Sequence, residues 1–223
     1  MILHNLTVPE AVAGTIAMLL LLVQLSLFRS VVISEFIRVY AVQALLVSAI
    51  CFAVAFTENA WDLIVLAALT LLFKGILLPR YMQHLSRGIS ARIELPARIN
   101  VLLSLLIAGV LIGVSVLTSA PLPLHRGAFL PRADLATTLS MVFIGFLVAI
   151  LRPNALAQVV AFLTLEDGLF FGTITLAPGL PFIIGILLLI DVLVAVVVFA
   201  VLVRALIDQH AAASVNAFQR LRG

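Results

Sequence analysis

The sequence predicts an all-α integral membrane protein: a bundle of seven transmembrane helices, N-terminus outside and C-terminus in the cytoplasm. Three observations predict it. Apolar residues are 64% of the 223 and charged residues only 10%, against about 45–50% and 25% in soluble domains. With a mean hydropathy of +1.30, a water-soluble fold of this size could not hide so much apolar side chain. Seven apolar segments reach the span of about 20 helical residues that ~30 Å of hydrocarbon demands, and the ten-residue alternation of barrel strands is absent. The arginines, finally, gather on alternate loops.

The segments are Val8–Phe28, Phe36–Phe56, Asp62–Tyr81, Ala97–Thr118, Leu135–Leu151, Ala155–Ala177 and Pro181–Ile207. Turn chemistry punctuates them at Ala120-Pro121-Leu122-Pro123 and Ala177-Pro178-Gly179-Leu180-Pro181. With the N-terminus outside, the cytoplasmic loops and tail collect Arg29, Arg38, Arg80, Arg87, Arg92, Arg98, Arg152, Arg204, Arg220 and Arg222, while the outer loops hold Arg126 and Arg132 beside Glu58, Asp62 and Asp134. Ten against two is the positive-inside bias of an odd number of crossings. The N-terminus does not read as a cleaved leader, because its first basic residue, Arg29, follows the apolar run.

The whole chain, 1–223, reads as one membrane domain. Residues 1–84 form a first three-helix unit, 97–118 a connecting helix, 135–207 a second three-helix unit and 208–223 a cytoplasmic tail. Both units enter from outside and end inside, a layout that fits a parallel internal repeat. The basic pI of about 9.8 reports orientation in the membrane and no nucleic-acid partner, since the charges form no dense block. A single cysteine, Cys51, excludes intramolecular disulfides and thiolate clusters.

Three ionisable residues fall well inside spans, Lys74, Glu166 and Asp191, with Asp167 beside the second. A charge at the bilayer centre costs about 2.5–3.5 kcal/mol on insertion scales, so such residues are functional candidates, with structural pairing as the alternative. Glu166 stands 13 residues before Gly179 and Asp191 12 after it. At 1.5 Å per residue both lie roughly 18–20 Å below that outer turn, near the midplane. Around Asn59 the pattern repeats, with Gln43 16 residues before and Lys74 15 after, at roughly 22–24 Å. Asn154, Gln158, Phe162 and Glu166 recur every four residues, a polar stripe suited either to a hydrated proton route or to a hydrogen-bonded helix interface. Burial disfavours the charged form of an acid or amine and a nearby opposite charge favours it, so a lysine and two acids at one depth can exchange protons. The expected charge-transfer residues are Lys74, Glu166 and Asp191, supported by Gln43, Gln158, Asn154 and Asp167.

Other chemistries find no footing. His4, His84, His125 and His210 stand at or beyond span ends, without the spacing of haem or metal ligands. Phosphate-cradling loops and hydrolase triads are missing, so neither a cofactor nor catalysis by this chain alone is expected. A retinal lysine belongs among aromatic residues on a last span, whereas Lys74 is on the third, in an aliphatic stretch. Gly109–Gly113 and Gly168–Gly172 fit the small-residue pattern of close helix packing.

From about Tyr40 to the C-terminus the sequence resembles the hydrogenase-4 component E family, membrane subunits of formate hydrogenlyase-type and related energy-converting complexes. The resemblance is carried by Tyr40-Ala41-Val42-Gln43-Ala44-Leu45-Leu46-Val47-Ser48, Phe73-Lys74-Gly75-Ile76-Leu77-Leu78-Pro79, Leu151-Arg152-Pro153-Asn154, Leu165-Glu166-Asp167-Gly168, Ile190-Asp191 and the tail from Ser214 to Gly223. The C-terminal part of that family is similar to the three-helix K-type subunit of respiratory complex I and the C-type subunit of Mrp cation/proton antiporters, which carry an acid on each of their last two helices. By resemblance Glu166 and Asp191 occupy those positions, the second one carbon shorter, and Asp167 replaces an asparagine of the family.

The resemblance implies a non-catalytic subunit of the cytoplasmic (inner) membrane, relaying protons or charge between antiporter-like membrane subunits and a hydrophilic [NiFe]-hydrogenase-like redox arm. It leaves open whether the ion is H⁺ or Na⁺. The alternatives are a subunit of a cation/proton antiporter without a redox partner, and a structural scaffold whose charges are merely paired.

Overall fold

Long runs of leucine, valine and alanine, broken only by short loops, fold into helical rods in a computed structural model of the chain. It describes residues 8–86, 97–121, 131–176 and 193–205, with the isolated positions 187 and 190. Helix α1 (Val8–Leu25) closes in a single 3₁₀ turn, Ser26–Phe28, and α2 (Ile33–Glu58) follows. α2 stops at Asn59, whose backbone is left-handed at φ 53°, a conformation asparagine tolerates and β-branched residues do not. The chain reverses there into one continuous rod, Trp61–Ser86. That rod is α-helical at both ends, α3 (Trp61–Thr70) and α4 (Leu78–Ser86), and π-helical between them over Leu71–Leu77.

Beyond the turn come α5 (Val101–Ser119), α6 (Pro131–Leu151), α7 (Ala155–Leu176) and α8 (Leu193–Ala205). α5 begins four residues later than the expected span because Asn100 caps it, its side chain accepting from the Leu103 amide at 2.9 Å. α6 begins four residues earlier than expected at Pro131, with Asp134 in its first turn, the chemistry of a helix start. Asn154 caps α7, its Oδ1 accepting from the Leu156 amide at 2.9 Å. Among the described residues there is no strand, and five helices are long and apolar enough to cross a membrane: Ile33–Thr57, Trp61–Ser86, Val101–Ser119, Ala133–Leu151 and Ala155–Leu176. Two shorter apolar helices, Val12–Phe28 and Leu193–Ala205, stand at either end of the chain. The first half of the expected seventh segment, with Asp191, lies outside the described residues, as do most of the 83–96 loop and the tail.

The rods carry the marks of a lipid environment. Trp61 is 78% exposed and Tyr81 43% exposed on one rod, 20 residues and so roughly 30 Å apart, the separation of the two aromatic belts of a bilayer. Met18, Leu22, Leu102, Leu106, Leu117 and Val197 turn outward, as side chains do where the solvent is hydrocarbon. The chain is a membrane protein.

α2 is the inner member of the bundle, touching α1, the whole Trp61–Ser86 rod and α7. Ser48 Oγ donates to the Ala67 carbonyl at 2.9 Å and Cys51 Sγ to that of Leu63 at 3.7 Å, tying α2 to α3. The tightest pair is α6 with α7. A Cβ added at Gly145 would meet Leu165 Cβ at 2.8 Å, one at Gly168 would meet Met141 Cβ at 2.7 Å, and one at Gly172 would meet Thr138 at 2.6 Å. These glycines let two backbones approach in a medium where dispersion and hydrogen bonds, not water, drive association. Gly109 and Gly113 of α5 have nothing within 4 Å of an added Cβ.

Candidate functional site

Apolar packing in the bundle divides into two clusters. One holds Phe36, Tyr40, Leu78, Met82 and Ala161; the other holds Ile50, Leu66, Ala67, Phe170 and Phe171. Along the third rod Ala67 belongs to one cluster and Leu78 to the other, and Lys74 stands between them. Along α7 the division falls between Ala161 and Phe170, at Glu166 and Asp167. A polar seam therefore crosses the core at one level.

In that seam Lys74 Nζ lies 2.9 Å from Glu166 Oε1 and 2.8 Å from Asp167 Oδ1. Lys74 is 1% exposed, Asp167 0% and Glu166 9%. The ammonium also stands 5.7 Å from the centroid of the Phe170 ring, within cation–π range. Asp167 Oδ2, Gln43 Oε1 and the Tyr40 hydroxyl are buried without a hydrogen-bond partner among the described residues. Tyr40 is fully buried and within electrostatic reach of both acids.

Each part is positioned by its helix. Lys74 is the middle residue of the π-helical stretch, a winding that recurs at functional sites. Gly75 next to it lets Leu45 of α2 approach, since an added Cβ would lie 3.2 Å from Leu45 Cδ2. Glu166 and Asp167 are consecutive on α7, so their side chains leave the axis about 100° apart. The glycine contacts with α6 fix the rotation of α7, turning Asp167 fully inward and leaving Glu166 at an edge. That edge is a cleft of about 460 Å³ between α7 and α8, walled by Val159, Phe162, Leu169, Val194 and Val198. Glu166 is the one ionisable residue among the described residues lining it.

Of the residues singled out in the sequence, the fold brings Lys74 of the third rod into contact with both Glu166 and Asp167 of α7. Gln43 pairs with the same helix, its Nε2 donating to the Thr164 carbonyl at 3.1 Å. Asn154 and Gln158 lie elsewhere: Asn154 caps α7, and Gln158 Nε2 donates to the Ala149 carbonyl at 3.4 Å. Of the two, Gln158 joins α7 to α6, and Phe162 above them is 57% exposed. Asp191 falls outside the described residues.

Two features escaped the sequence reading. Tyr40 stands one turn before Gln43 on α2, and that spacing was the available signal. The other is Arg152, 2% exposed at the corner between α6 and α7. Its Nη2 donates to the carbonyls of Leu27, Phe28 and Ser30 at 3.3, 3.0 and 2.8 Å, and its guanidinium lies 5.3 Å from the Phe36 ring centroid. Burial draws its pKa down, but a guanidinium does not deprotonate in proteins. It is a fixed charge that clasps three backbone oxygens.

Over 184 residues, 82% of the chain, the sequence is 26% identical to hydrogenase-4 component E of Escherichia coli strain K12, covering 85% of that protein. The same figures hold for hydrogenase-4 component E of Escherichia coli O157:H7 and of Shigella flexneri. The chain is distantly related to these proteins. No family model matches it, and no solved structure does.

Proposed function

We propose that this chain is a non-catalytic subunit of a hydrogenase-like, energy-converting complex of the inner membrane, and that Lys74, Glu166 and Asp167 relay protons near the bilayer midplane. The distant relationship to hydrogenase-4 component E supports the assembly. One observation carries the relay: a single ammonium within 2.9 and 2.8 Å of two neighbouring carboxylates, buried at membrane depth. Fully ionised, the three side chains hold one excess negative charge, and a lone charge in hydrocarbon costs about 2.5–3.5 kcal/mol or more. One proton on either carboxylate makes the trio neutral. Such a trio takes up or gives away one proton whenever a neighbouring charge changes, which suits transfer between antiporter-like subunits and a redox arm.

Asp191 belongs to the same relay in this reading. In the sequence it belongs to the same expected span as Val194, Ala195 and Val198, which line the cleft beside Glu166. Seven crossings with the N-terminus outside, and two parallel three-helix units resembling the K-type and Mrp C-type subunits, complete the reading.

The bond from Gln158 of α7 to the Ala149 carbonyl of α6 favours a second reading, a scaffold in which polar groups only hold helices together. Proton translocation in vesicles separates the two. Glu166→Gln and Asp167→Asn are each expected to leave the complex assembled on co-purification and to cut translocation at least tenfold. Full translocation in both variants would select the scaffold.

A further inference from the structure

Where α4 and α8 end side by side, a second cleft of about 460 Å³ opens at the bundle surface. Its polar residues gather at one end: Tyr81 and His84 on α4, and Arg204 on α8. The remaining wall is apolar, chiefly Val197, Ala200 and Val201. Val197 and Val201 are 56% and 60% exposed. Val197, Val201 and Arg204 stand four and then three residues apart, one face of α8 with its charge at the end. No carboxylate is among the described residues that line the cleft.

We infer that this cleft is a binding site for one anionic phospholipid. The guanidinium of Arg204, an imidazole N–H of His84 and the Tyr81 hydroxyl are donors lining one cleft, and a guanidinium grips phosphate with paired N–H groups. A free inorganic anion would use the rim alone and leave the valine wall bare. A phospholipid uses both, its acyl chain lying along Val201 and Val197. The excess of positive charge at the rim selects a headgroup with net negative charge, as basic pockets between membrane helices do. The Arg204 charge contributes about fivefold to that preference. The site stands apart from the buried trio and needs no relay role.

The test uses the full-length chain in nanodiscs of equal palmitoyl-oleoyl phosphatidylglycerol and phosphatidylcholine, released into native mass spectrometry. The chain is expected to retain one phosphatidylglycerol at least fivefold over phosphatidylcholine. Arg204→Gln with His84→Gln should abolish that preference. Arg38→Gln, which removes the same charge from an exposed site on α2, should leave it within twofold. Equal retention of the two lipids overturns the inference, as does an equal loss in both sets of variants. If the double variant does not fold, phosphatidylglycerol with a photoreactive acyl chain decides on the unaltered protein. Cross-links to the Val196–Arg204 stretch support the site, and cross-links only elsewhere overturn it.

Discussion

Among the described residues two cations are buried in this bundle, Lys74 and Arg152, and the contacts that hold them differ in chemistry. Lys74 lies mid-rod against Glu166 and Asp167, at 2.9 and 2.8 Å. Arg152 lies at a helix corner, donating to three backbone carbonyls between 2.8 and 3.3 Å. Each also faces an aromatic ring, Phe170 for the lysine and Phe36 for the arginine. Carbonyls keep their charge distribution at any pH, and a guanidinium keeps its proton, so these three bonds of Arg152 do not titrate. An amine between two carboxylates has several states, differing in where protons sit.

Removing the cations draws the comparison most sharply. Lys74→Met strands two carboxylates in the core and is expected to cost about 3–5 kcal/mol, the usual penalty for breaking a buried pair, and to stop translocation. Combining Lys74→Met, Glu166→Gln and Asp167→Asn should recover most of that stability, read by thermal unfolding, without recovering translocation. Arg152→Met should cost less, about 1.5–3 kcal/mol for a charged hydrogen-bonding group, and should lower the yield of assembled complex while translocation per complex is kept.

Exchanging the cations gives a smaller effect and a finer one. Lys74→Arg keeps the positive charge but fixes its proton, so assembly should survive and translocation should fall at least tenfold. Arg152→Lys loses the fork that reaches several carbonyls, yet should leave translocation per assembled complex within twofold. If Lys74→Arg pumps normally, proton exchange at Lys74 is not part of the relay. The smallest expected effects come from the rings. Phe170→Leu and Phe36→Leu should each cost about 0.5–2 kcal/mol of cation–π attraction, measured by thermal shift, with altered translocation only for Phe170→Leu.

Much of this arrangement is legible in residue order, for a geometric reason. Counting 1.5 Å per residue from a tight turn gives depth, and Asn59 supplies a well-defined origin through its left-handed backbone. Depth placed Lys74 and Glu166 within reach of each other, and the structure has them in contact. Azimuth is another matter. Glu166 and Asp167 differ by one position, and which of them turns inward depends on how α7 is rotated against α6. Gly145, Gly168 and Gly172 set that rotation, and such contacts are absent from any count along the chain. Gly109–Gly113 carries the same spacing as Gly168–Gly172, yet its added Cβ atoms would meet nothing within 4 Å, so the pattern permits close approach without saying what approaches. The polar stripe through Asn154 and Gln158 is likewise real as a spacing, but its amides are consumed by backbone groups.

The π-helical stretch has one more consequence. Across the π-helical stretch Leu71–Leu77 the backbone bonds reach one residue further back than in the α-helical stretches around it, as the Leu78 amide does to the Phe73 carbonyl, so the rod holds slack at its waist. Taking up one residue of that slack would twist the Trp61–Thr70 half against the Leu78–Ser86 half by roughly 100°. The ammonium of Lys74 sits at the swivel.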